Sequence, residues 1–142
     1  MAQAEYEEFI ETLDALDDDM RFEYLLDLAR MQDREALPEA QRTDANLMHG
    51  CMSKVWLVHE EREGRHYFTG ASEAAIVKGL VYMMTHAFSG LTAAEIAGLT
   101  LDDVRKLNLG ALTFQRQVGM MAMLKRIQRL AGVPATSQAA RA

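Results

Sequence analysis

Lys54-Val55-Trp56-Leu57-Val58-His59, followed by Glu61-Arg62-Glu63-Gly64-Arg65 and then by His66-Tyr67-Phe68-Thr69-Gly70, is the stretch that decides the fold. Its first arm is rich in β-branched and aromatic residues. They are apolar on successive positions rather than alternate ones, the pattern of a strand covered on both faces. The charged run then supplies a turn, with Gly64 for the bend. The second arm, 65–70, returns as the partner strand of a hairpin. Residues 46–50 just upstream read as a third strand.

Helical patterns lie on both sides of this hairpin. Residues 4–17 form a short acidic helix with Tyr6, Phe9, Ile10 and Leu13 at helical spacing. Asp17, Asp18 and Asp19 break it and offer an N-cap to a second helix, whose stripe is Phe22, Leu25, Leu26, Leu28 and Ala29. Residues 32–45, with Leu37-Pro38, read as a surface loop. Beyond the hairpin, Ser72 is positioned to cap a helix over 74–87 that is apolar almost all round and therefore central. Lys78 reads as a solvated interruption of it. Gly79 costs about 1 kcal/mol relative to alanine in mid-helix, which implies a close neighbour. Thr92-Ala93-Ala94-Glu95 is a capping box. Residues 101–107 read as a short helix. The last helix, 116–131, turns Met120, Met123, Leu124, Ile127 and Leu130 inward and is ended by Gly132 and Pro134. Trp56 and the methionines at 83, 84, 120, 121 and 123 read as core.

The chain has 142 residues, enough for one domain with its own core. The expected core is about 4–131, with 132–142 a disordered tail. No apolar run approaches the ~20 residues that span a bilayer. The start of the chain lacks the pattern of a secretory signal, so a cytoplasmic address is the default expectation. Residues 1–20 hold eight acids and no base, whereas seven bases and no acid follow Asp103. These bases are sparse and not interleaved with aromatics, so no nucleic-acid partner is expected. The basic part reads as solvated helix faces or as a docking face for an acidic partner. The apolar content leaves room for a homodimer.

There is one cysteine, Cys51, and the four histidines are scattered at 49, 59, 66 and 86. An internal disulfide is therefore excluded, and a cluster or structural zinc site is short of ligands within one chain. No metal is expected. Cys51 follows Gly50 and precedes the buried strand, so it is placed on a turn at the base of rigid structure. A lone cysteine is more often a small buried hydrophobe than a nucleophile, and position alone leaves both readings open. His49 and Lys54 are close enough in sequence to lower the thiol pKa if their side chains reach it.

Asn46-Leu47-Met48-His49-Gly50-Cys51-Met52-Ser53-Lys54-Val55-Trp56 resembles the active-site segment of the SufE family, N-x-x-x-G-C-x-S-x-V-W. Leu37-Pro38 is similar to an upstream turn of that family. Gly70-Ala71-Ser72-Glu73-Ala74-Ala75-Ile76-Val77-Lys78-Gly79-Leu80 is similar to its G-D-S-D-A-x-I-V-K-G-L segment. Arg116, Gly119 and Met123 resemble its S-R-x-x-G-L-x-x-M helix start. Ala71 stands where the family usually has aspartate, and Gln115 and Met120 replace a serine and a leucine. The resemblance covers roughly residues 10–131.

The resemblance implies an α+β fold, a small antiparallel sheet of about three strands with helices packed on it, SufE/IscU-like. The helices and hairpin read from the residues agree. It also implies a sulfur acceptor and activator for a cysteine desulfurase of the SufS or CsdA kind. Sulfur would be held as a persulfide on Cys51 and relayed to an iron–sulfur scaffold complex. Such a protein is a sulfur carrier rather than a stand-alone enzyme. It needs no cofactor of its own, since the pyridoxal phosphate belongs to the desulfurase. Gly50, Ser53, Arg116, His49 and Lys54 are the candidates for supporting the cysteine loop or binding the partner. The alternative is a regulatory module that binds a desulfurase without accepting sulfur.

Overall fold

The computed structural model describes residues 2–35, 37–48, 54–107 and 114–133. Among them the chain forms α1 (Ala2–Asp14), α2 (Asp18–Arg34), β1 (Leu47–Met48), β2 (Val55–Arg62), β3 (Arg65–Ser72) and α3 (Ala75–Ala87). Then follow β4 (Leu91–Thr92), α4 (Ala93–Ala97), α5 (Leu101–Arg105) and α6 (Phe114–Leu130). The strands make one antiparallel sheet in the order β1-β2-β3-β4. The class is α+β, as expected, with a fourth strand added. The two-residue β4 runs straight into the Thr92 capping box, whose signal masks it.

β2 and β3 pair over their whole lengths, from Val55↔Ser72 to Arg62↔Arg65. The turn is only Glu63-Gly64, tighter than the charged run suggests. Both residues are left-handed, with φ of 53° and 78°. That is the backbone of the two-residue hairpin turn whose twist matches the strands.

The sheet is covered on both faces at the end nearest β1. On one face Val55, Leu57 and Phe68 join the main core with α1, α3 and α6. On the other, Trp56, only 7% exposed, packs with Leu37 and Ala71. This explains the unbroken apolar run in β2. It also corrects the reading of 32–45 as a surface loop. α2 runs on to Arg34, and Leu37 is a lid over Trp56.

α3 is the central element, with Gly79 to Thr85 and Ala87 all buried. A Cβ on Gly79 would overlap the carbonyl oxygen of Leu25, so the glycine lets α2 and α3 cross in close contact. Ser72 does not cap α3: its N-cap is Ala74, without a side-chain bond. β3 extends through Ser72 instead. Lys78 is not simply solvated, since its Nζ lies 3.0 Å from Asp33 of α2.

Asp17 caps α2 as expected, accepting a 2.9 Å bond from the Met20 amide. The buried stripe of α2 is Leu25, Leu28, Ala29 and Gln32, displaced from the expected one. Phe22 is 52% exposed and takes no part in it. Position 22 is three residues before Leu25, on the fringe of the stripe. Both capping interactions of Thr92 and Glu95 are formed, at 3.0 and 3.2 Å. α6 buries Met120, Met123, Leu124 and Ile127. It ends with Gly132 at φ 86° and with the Val133 amide bonded to the Gln128 carbonyl at 2.9 Å. That is a Schellman ending. Gly132 and Val133 thus finish a helix, and the rest of the expected tail, 134–142, lies outside the described residues.

Candidate functional site around the Cys51 segment

His49, Gly50, Cys51 and Ser53 lie outside the described residues, between Met48 and Lys54. Met48 ends β1 and Val55 opens β2, and the two are paired across the strands. The chain therefore leaves the sheet at Met48 and re-enters it at Val55, at neighbouring positions. Met48 and Val55 are both buried, so the segment is rooted in apolar core.

The downstream root is Lys54. Its side chain is exposed, which disfavours a role as a buried partner of the thiol. Its main-chain carbonyl accepts a 2.7 Å hydrogen bond from the hydroxyl of Ser72. Ser72 is 3% exposed and stands opposite Val55 on β3. Strand pairing and side-chain bonding thus meet at one point.

The upstream root is a compact turn. The Asn46 amide donates to the Thr43 carbonyl at 3.1 Å, and Asn46 Nδ2 donates to the Gln41 carbonyl at 2.8 Å. The Asn46 carbonyl in turn accepts from the Leu57 amide at 3.0 Å. Arg42 lies over the Trp56 ring at 5.8 Å and donates to the Leu37 carbonyl at 3.2 Å. From the far side, Arg126 of α6 donates through Nη2 to the Ala45 carbonyl at 3.0 Å.

Of the other candidates, Arg116 falls in the first turn of α6, and its side chain lies outside the described part. Ala71, where the resemblance leads one to expect aspartate, is buried against Trp56 and Leu37. A small apolar side chain suits that place, and a carboxylate there would have to be desolvated. Ser72 and Arg126 were not among the site candidates read from sequence. Serine before a helix looks like a cap, and Arg126 looks like one more base on a basic helix.

A second polar region lies at the turn end of the hairpin, about 23 Å along the strands from the Val55↔Ser72 pair. There His86 bridges Glu35 at 2.8 Å and Glu5 at 3.2 Å and stacks on Tyr82. A cleft of about 770 Å³ opens beside it, with Arg62 and Arg65 on its rim. Arg62 lies over the Tyr67 ring and Arg65 donates to the Gly90 carbonyl. Its charged groups are thus engaged within the chain, as expected of a structural knot between α1, α2 and α3. Nearby, His59 and His66 approach to 2.6 Å between ring nitrogens. Burial, and then repulsion from His66, hold the His59 pKa below its usual value, against an opposing pull from Glu61. Among the described residues no group of three His, Cys, Asp or Glu side chains is arranged to hold a metal ion.

Comparison with known proteins decides the family. A family model described as SufE, Fe-S metabolism associated domain, matches residues 7–131. The chain belongs to the SufE family. An uncharacterized SufE-like protein of Rhizobium etli is 36% identical over 146 aligned positions, covering 91% of this chain and 95% of the relative. One from Rhizobium meliloti is 37% identical over 114, covering 76% and 80%. A SufE-like protein of Synechocystis is 34% identical over 95, covering 66% and 60%. The solution structure of a hypothetical protein from Thermus thermophilus superposes with a TM-score of 0.72 at 18% identity, covering 92% of this chain and 96% of that one. That likeness shows the fold alone. The family places the protein in iron–sulfur metabolism. No described helix is long and apolar enough to cross a membrane.

Proposed function

We propose that this protein accepts sulfane sulfur on Cys51 from the persulfide of a cysteine desulfurase, stimulates that enzyme, and relays the sulfur to iron–sulfur cluster assembly. The observation that carries the reading is the family match across residues 7–131, which includes the segment holding the chain's single cysteine.

The chemistry asks little of the chain. The donor is a partner cysteine bearing S–SH. The Cys51 thiolate attacks the outer sulfur, a new S–S bond forms at Cys51, and the donor's S–S bond breaks. The partner's thiolate leaves, and the transferred sulfur keeps its proton. Nothing is oxidised or reduced overall, as in thiol–disulfide exchange. Thiolate fraction and access then control the rate. With no second cysteine in the chain, the persulfide has no internal thiol to collapse onto.

The apolar roots of the segment, Met48 and Val55, favour a thiol that is shielded at rest and made available by the partner. Shielding protects a persulfide from stray oxidants and reductants. The pyridoxal phosphate of the reaction is the desulfurase's. His49, Gly50, Ser53, Lys54 and Arg116 retain a supporting or partner-binding role in this proposal.

The test is incubation with a desulfurase, pyridoxal phosphate and cysteine, followed by intact mass. Uptake of one sulfur atom, lost in Cys51→Ser, is the expected result. Stimulation of the desulfurase that survives Cys51→Ser without sulfur uptake would instead make the chain a regulatory module.

A further inference from the structure

We propose that the cleft at the turn end of the hairpin binds a short zwitterionic peptide, its carboxylate on Arg62 and Arg65 and its ammonium against Glu35 and Glu5. This site is separate from the cysteine segment and goes beyond sulfur transfer.

The cleft, about 770 Å³, is of the size that holds small ligands. Arg62 and Arg65 form the last pair of the β2–β3 ladder and stand directly opposite each other. Like charges at opposed positions destabilise a sheet, and an anion between them relieves the repulsion. Both guanidiniums are held in place. Arg62 lies over the Tyr67 ring at 4.1 Å, with its Nε 3.3 Å from Glu60. Arg65 gives one N–H to the Gly90 carbonyl at 2.8 Å. Each keeps further N–H donors in a fork that matches a carboxylate.

The other end of the cleft is acidic. His86 is shared by Glu35, at 2.8 Å, and Glu5, at 3.2 Å. Two carboxylates outnumber one imidazole in either of its forms, so a negative charge is left over. Burial first, and then the field of Glu35 and Glu5, raises the Tyr82 pKa. At the basic end, hydrogen bonds from Thr92 and, after them, the charge of Arg65 hold the Glu95 carboxyl low. A dianion is repelled by one end and a simple cation by the other. A zwitterion satisfies both.

The spacing of the two ends sets the length of the ligand. Gln32 donates to the Gly70 carbonyl, and the Glu35 amide follows one turn later on the Gln32 carbonyl, at 3.1 Å. Glu35 therefore flanks β3 near Thr69, about 13 Å along the strand from Arg65. An extended peptide of about three residues places its charged ends ~10 Å apart, a gap that the long arginine and glutamate side chains close. A free amino acid is too short. Tyr67 and Thr69 line the stretch between, with hydroxyls to meet a peptide main chain.

The experiment is isothermal titration calorimetry of the full chain with triglycine. A Kd of about 1 mM or tighter is the expected result. Glycine lacks the length, N-acetyl-triglycine the ammonium and triglycinamide the carboxylate. Each should bind about tenfold more weakly, the loss of one charged hydrogen bond. Arg65→Gln and Glu35→Gln should weaken triglycine by the same factor. Arg129→Gln, an exposed position on α6, should leave it unchanged.

No heat from triglycine at about 10 mM would overturn the proposal. So would equal affinity for either blocked peptide, tighter binding of inorganic phosphate, or unchanged affinity in both Arg65→Gln and Glu35→Gln. The blocked peptides test each end on the wild-type chain, so the result stands even if a variant does not fold. Neither a desulfurase nor Cys51 enters the measurement, and its failure leaves the sulfur-transfer reading to its own mass test.

Discussion

Ser72 Oγ lies 2.7 Å from the Lys54 carbonyl oxygen, tying the last residue of β3 to the residue that enters β2. The same oxygen accepts a longer bond, 3.4 Å, from the Ala74 amide. One buried hydroxyl therefore joins the hairpin's base, the start of α3 and the root of the cysteine segment. Ser72→Ala should cost about 1 kcal/mol of global stability, the net worth of a typical hydrogen bond. Urea denaturation checks this, with an unchanged m-value.

Gly79 faces the backbone of Leu25 so closely that a Cβ would overlap its carbonyl oxygen. Helix propensity alone favours alanine there by about 1 kcal/mol. The clash should outweigh it, because backbone on the facing helix cannot step aside as a flexible side chain can. Gly79→Ala is expected to destabilise the protein by about 2 kcal/mol or more. A midpoint equal to or above wild type in chemical denaturation would contradict the close crossing.

The hairpin turn makes opposite predictions at adjacent positions. Gly64 at φ 78° and Glu63 at φ 53° are both left-handed. Gly64→Ala should cost about 1 kcal/mol, since alanine resists that region. Glu63→Asn should stabilise by about 0.5 kcal/mol, because asparagine tolerates it better than glutamate. Thermal melts of the two variants should move in opposite directions.

His59 gives a pH dependence. Burial, followed by repulsion from His66, depresses its folded-state pKa below the usual value. A group depressed in the fold contributes stability above its unfolded pKa of about 6.5 and loses it as pH falls through the lower folded value. Urea midpoints should therefore decline as the solution is acidified from neutrality, before the carboxylates titrate. In His59→Gln this decline should be shallower.

The sequence made some of this legible and hid the rest for physical reasons. The hairpin, the capping box and the C-terminal end of α6 are local events, coded by residues within a turn of each other, and they appear where expected. Phe22 was misplaced because which fringe residue of an amphipathic stripe is covered depends on where α3 crosses α2. Leu37 looked like loop until the bare face of Trp56 was there for it to cover. At the site, the family-like segment around Cys51 was plain from its residues. Ser72 and Arg126 were not, because each acts on a carbonyl far along the chain, 18 positions away for Ser72 and 81 for Arg126.

The central claim is that Cys51 takes up sulfur. It is tested most directly by intact-mass measurement after incubation with a cysteine desulfurase, pyridoxal phosphate and cysteine. A gain of one sulfur atom, reversed by a reductant and missing in Cys51→Ser, is the predicted result. An unchanged mass, with the desulfurase shown to be active and bound, would contradict it.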